Sequence, residues 1–160
     1  MPAPPPEHLE FRLDNRAPVI DTMVRLNRDR DGWLNLQPDV QYEDIPDTGP
    51  SLGRLFSARG PAVPLGSWVP ARKRKRGAEP ASLGLQHAGG PKAMWRLRDG
   101  GLVLPAGWKV LADHPKRGLV LEVPDGASPQ DTLDWLLQAA IKLTSFELPP
   151  TWHAGLFHRR

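Results

Sequence analysis

Between residues 83 and 158 the apolar side chains switch repeatedly between the period of a strand and the period of a helix. Residues 83–87 alternate as a strand, and 91–98 read as a short helix stopped by Gly100 and Gly101. Residues 108–113 and 118–123 are rich in valine, leucine and tryptophan, with His114, Pro115, Lys116 and Arg117 as the turn of a hairpin. From 129 to 144, Leu133, Leu136, Leu137, Ala140, Ile141 and Thr144 recur at helical spacing. Ser128 is a good N-cap there, Pro129 suits the first helical position, Asp131 favours the helix start, and Pro149 and Pro150 enforce the stop. Residues 152–158 form a last strand. The order is βαββαβ, which predicts an α+β fold with a ferredoxin-like sandwich over about 83–158.

Alternation places Leu119, Leu121 and Val123 against the helices, and Leu111, Val120 and Phe157 on the opposite face beside Lys109 and Glu122. That second face is apolar enough to call for a cover, either the N-terminal half or a second copy packed sheet to sheet. Residues 1–8 read as a disordered proline-rich tail. Leu9, Phe11 and Leu13 alternate as a short strand. Residues 18–27 carry Ile20, Met23, Val24 and Leu26 on one helical face, Gly32 ends that unit, and 33–36 are extended. Glycine and proline dominate 46–91, where the apolar residues are Phe56, Val63, Leu65, Trp68 and Val69. This predicts an irregular arm over the sandwich with a strand at 67–70. Residues 9–160 thus form one α+β domain, a helix and covering arm over 9–82 and the core over 83–158.

Length suits one domain with a core of its own, and the absence of cysteine excludes disulfides and thiolate chemistry. No apolar run spans a membrane and no signal-peptide pattern is present, so the expected location is cytoplasmic. The segments Ser67-Trp68-Val69-Pro70, Gly84-Leu85-Gln86-His87, Gly107-Trp108 and the run from Asp113 to Val120 resemble uncharacterised proteins of high-GC Gram-positive bacteria. The resemblance spans most of the chain after the proline tail and implies no activity.

The clearest electrostatic feature is the run Arg72, Lys73, Arg74, Lys75, Arg76 in a chain of formal charge +3 and pI near 9.6. It could grip a phosphate backbone, or be a solvated loop between strands; no aromatic residue interleaves with it. Residues 117–123 begin like an RNP1 motif, but leucines stand where stacking aromatics belong and Glu122 repels phosphate. The loop His87-Ala88-Gly89-Gly90-Pro91-Lys92 leads into a helix, so His87, Gly89, Gly90 and Lys92, with His114 near them, form a candidate anion site. It departs from a P-loop, because Gly90 sits where lysine belongs and no serine or threonine follows Lys92 to hold magnesium.

Residues 27–35 resemble the start of an EF-hand loop, with Asn27, Asp29 and Asp31 at ligand positions. However, Pro38 occupies the place of the bidentate glutamate and Arg28 and Arg30 repel a cation. His153 and His158 fall on opposite sides of a strand, so no metal signature arises, and no cofactor is implied. His114 with Asp113 could act as a general base, but no nucleophile accompanies them. The reading that leads is a non-enzymatic interaction or regulatory protein, with a protein partner or homo-oligomer. Nucleic-acid binding through 72–76 and small-molecule anion chemistry around 87–92 are the alternatives.

Overall fold

The computed structural model describes residues 4–45 and 60–159. The expectations for Phe56 and for residues 1–3 lie outside them. Strand β1 (Glu7–Arg12) leads through helix α1 (Ala17–Asp29) to β2 (Gly32–Pro38). After β3 (Leu65–Val69) come two short strands, β4 (Arg72–Arg74) and β5 (Gly77–Glu79), then β6 (Ala81–Gln86). Helix α2 (Ala93–Asp99), β7 (Lys109–His114), β8 (Gly118–Val123), α3 (Pro129–Leu143) and β9 (Thr151–His158) follow.

The chain is therefore mixed α+β, as its periodicity predicts. Its main sheet has seven strands in the order β1-β9-β2-β3-β6-β8-β7, with every neighbouring pair antiparallel. A four-stranded ferredoxin-like sheet would place β9 beside β6. Here β2 and β3 stand between them, and that pairing does not form. The insertion is compatible with the rest because two extra antiparallel strands restore the original direction of β9 relative to β6. Both bring an apolar stripe of their own: Leu34 and Leu36 on β2 and Trp68 on β3 are buried at alternate positions.

One face of the sheet carries the helices. On α3 the buried set is Thr132, Leu133, Trp135, Leu136, Leu137, Ala139, Ala140 and Leu143, a broad stripe, while Ile141 turns outward. Ser128 caps this helix by accepting a hydrogen bond from the Asp131 amide at 3.0 Å. Below it, Gly66 leaves room for Leu136, whose Cδ2 would lie only 3.0 Å from a Cβ at that position. On α1 the buried residues are Val19, Met23 and Leu26, and Val24 is exposed, so the apolar face is rotated from the one expected. Arg16, just before α1, donates to Asp134 on α3 at 2.7 Å and fastens the two helices.

Among the described residues the other face is open. Leu111 is 60% exposed and Val120 is 37% exposed, and no layer of described residues covers them. The N-terminal half joins the sheet edgewise through β1, β2 and β3, and its helix packs on the same side as α3. The described residues of that half do not provide the expected cover. It also reaches further back than its alternation suggests, because Glu7 and His8 pair with Leu156 and Gly155 and so belong to the sheet rather than to a tail.

Candidate functional site

The basic run forms a ribbon rather than a loop. Val69 opposes Ser82 in the main sheet, and Arg72 opposes Glu79 and Arg74 opposes Gly77 in the same register further out. β3 and β6 are thus one long hairpin whose outer part is β4 and β5. Pro70 and Pro80 sit at the break, where a missing amide hydrogen interrupts the ladder. The two-residue turn Lys75-Arg76 closes it, with Gly77 at φ 121°. Six residues of strand beyond Val69 carry the tip roughly 20 Å from the sheet.

The ribbon is under-neutralised. Its single carboxylate, Glu79, takes Arg74 at 2.6 Å and Arg72 at 3.3 Å through the same oxygen. Arg159, at the end of β9, shares that neighbourhood. Burial, then repulsion from Arg72, holds its guanidinium below its ordinary pKa, with Glu79 opposing and Arg74 adding to the repulsion. Lys73, Lys75 and Arg76 make no ion pair among the described residues.

Next to the foot of this ribbon lies an aromatic pair that inspection of the basic run alone misses. Trp33 on β2 and Phe157 on β9 are opposed in register and stack on the open face, ring centroids 5.4 Å apart and planes 10° from parallel. The two residues lie 124 positions apart in sequence, and only the β2–β9 pairing joins them. Their odd-even phase, opposite to the buried Leu34 and Leu156, was the only signal of their common face. Leu34 pairs with Trp68, so Trp33, one residue earlier on β2, lies at the Val69 end of β3, two residues before Ala71 and the ribbon.

Beside the pair a row of small side chains crosses the open face. Gly155, Asn35, Ser67 and Gly84 are mutually in register on β9, β2, β3 and β6. The Phe157 ring leans over Gly155, and Ser67 Oγ lies over Gly84, within 2.7 Å of where a Cβ would stand. A larger residue at Gly84 would have to displace the Ser67 hydroxyl. The result is a shallow trough with the aromatic pair rising beside its β9–β2 end.

The 87–92 loop is built differently from a free anion site. The Asp113 carboxylate accepts from the amides of Ala93 and Met94 at 3.2 and 3.0 Å, so the chain's own charge occupies the start of α2. Lys92 adopts a left-handed φ of 57° as its N-cap. Buried His87 accepts from the Gly89 amide at Nδ1, 3.0 Å away, and its Nε2 is buried without a partner. Burial lowers its pKa from 6.5; Asp113 works against that shift and Arg96 adds to it. Gly90 takes a φ of 82° in the turn. His114 accepts at Nδ1 from the amides of Lys116 and Arg117, inside its own turn. Strand alternation sends it to the side opposite Asp113.

The stretch resembling an EF-hand is a helix end. Arg30 takes a φ of 55°, its amide donates to the Leu26 carbonyl, and Asp29 pairs with Arg28 at 2.8 Å. Among the described residues no cluster of histidine, aspartate and glutamate is arranged for a metal, and no helix is long and apolar enough to cross a membrane. A cleft of about 360 Å³ lies between the C-terminal end of α1 and the loop before α3, with Trp68 and Ala81 in its lining and Arg30 and Asp125 among its polar groups. Comparison of the chain with protein-family models, with curated proteins and with solved structures finds no match.

Proposed function

We propose that the chain is a non-enzymatic binding protein whose ligand is a polyanion of the nucleic-acid class, held by the β4–β5 ribbon. The observation that carries this reading is charge: Arg72, Lys73, Arg74, Lys75 and Arg76 stand on a projecting hairpin with one carboxylate, and Arg159 crowds the same carboxylate. A phosphate backbone laid along the ribbon would relieve that crowding and release counterions. The exposed strand geometry also sets cations at regular spacing, which a collapsed loop would not.

The test is anisotropy of a labelled oligonucleotide against wild type and a variant with Lys73, Lys75 and Arg76 replaced by Ser. Wild type should bind at 50 mM salt and lose affinity steeply by about 200 mM, while the variant should bind at least tenfold more weakly with a shallower salt slope. Equal binding by both proteins would remove the ribbon from the site.

A second reading, self-association, has its own support. Val110, Leu111 and Val120 are 42%, 60% and 37% exposed on the edge strand β7 and its neighbour β8. Against it, Leu111 sits at a bulge in β7 and Lys109 stands on the same edge, features that discourage further strand pairing. Mass in solution across a hundredfold range of concentration decides between a monomer and a pair.

A further inference from the structure

We infer that the polyanion is single-stranded, with one unpaired base stacked on the Trp33–Phe157 pair and the neighbouring bases laid in the Asn35–Ser67–Gly84 trough. This rests on the reading of the ribbon as the phosphate grip. Cations alone bind duplex and single strand alike. What distinguishes them is a π-surface, which only a base removed from its own stack can use.

The open face supplies that surface at the right place. Trp33 and Phe157 stack on each other at 5.4 Å, so the pair acts as one preformed platform rather than two separate rings. It stands at the end of the sheet from which the ribbon departs, since the register that sets Leu34 against Trp68 brings the neighbouring Trp33 to the Val69 end of β3, three residues before Arg72. A strand whose backbone tracks the ribbon therefore reaches the platform at the ribbon's foot and turns there to cross the strands. Beyond the platform the trough crosses β9, β2, β3 and β6, roughly 14 Å at ordinary strand spacing. Its side chains are short, with the Phe157 ring over Gly155 at one end and Ser67 Oγ over Gly84 at the other, and its polar groups are the Asn35 amide and the Ser67 hydroxyl. Each can donate or accept, which suits base edges of any identity and makes the binding tolerant of sequence. The far end is bounded by Val120 and by Glu122, paired to Lys109 at 3.4 Å, and that carboxylate discourages phosphate there. The charge layout thus directs the backbone to the ribbon side.

Competition between forms of one oligonucleotide tests this. Wild-type protein is titrated with a labelled 12-mer as a single strand and as its duplex, at 50 mM salt, beside Trp33→Leu and the Lys73, Lys75, Arg76 to Ser variant. The single strand should bind at least tenfold more tightly than the duplex. Trp33→Leu should lose about tenfold on the single strand, the order expected for one stacked base, and nothing on the duplex. Equal affinity for both forms in wild type overturns the inference while leaving the ribbon as a polyanion grip; this comparison needs no variant to fold. No binding of either form overturns both readings. Loss of duplex and single-strand binding together in a folded Trp33→Leu protein also sinks the stacking role.

Discussion

Asp113 on β7 holds Met94 at the start of α2, carboxylate to amide at 3.0 Å, and does the same for Ala93 at 3.2 Å. The helix has only seven residues and lacks a side-chain cap from its own N-cap residue, so this distant carboxylate replaces one. Asp113→Ala should cost about 0.5 to 2 kcal/mol, and Asp113→Asn less, since the amide oxygen still accepts. Urea midpoints with unchanged slopes would show it. Identical midpoints for all three proteins would mean that α2 does not depend on this contact.

His87 links stability to pH. Its neutral form is buried, and its folded-state pKa lies below 6.5, so the unfolded chain binds the proton more readily. The stability it supports is complete above about pH 6.5 and is lost as pH falls below that value toward the lower folded-state pKa. Melting temperature should drop between neutral pH and about pH 5, and His87→Gln, which cannot charge, should flatten that part of the profile. A parallel drop in the variant would place the sensitivity elsewhere.

Leu136 and Ile141 lie on the same helix with opposite fates. Leu136 is buried over Gly66, and Ile141 is 42% exposed. Leu136→Ala should destabilise by roughly 2 to 5 kcal/mol, and Ile141→Ala by less than about 0.5 kcal/mol. Chemical denaturation of the two variants separates them; similar losses would mean the register of α3 is wrong.

Val120 tests the open face. A buried valine would not accept a carboxylate, but this one is 37% exposed and has no layer of described residues above it. Val120→Asp should change stability by under about 1 kcal/mol in dilute monomer. A severe loss there would show that the face is covered in solution.

Much of the architecture is legible in the residues. Ser128, Pro129 and the leucine stripe announce α3, and the turn from His114 to Arg117 announces the β7–β8 hairpin, because caps, periods and turn chemistry are local. The place of β2 and β3 is not local. Their alternation shows strands, but nothing in it says they divide β9 from β6. The ribbon escapes because five cations carry no apolar alternation, and strand formation there follows from the hairpin behind it. The Trp33–Phe157 platform escapes for the same reason as the sheet order: it exists only once β2 meets β9.

The sheet order also governs how the chain can fold as it is made. β1 has a single partner, β9, and β2 has one free side until β9 arrives. Synthesis of the stretch between β2 and β9 takes on the order of 10 s at ordinary elongation rates. During that interval the β3–β6–β8–β7 portion can assemble from near neighbours, while the first strand and one edge of β2 wait unpaired. Refolding should then end in a slow step that joins the two ends of the sequence, and nascent chains cut short of β9 should be the ones that chaperones retain.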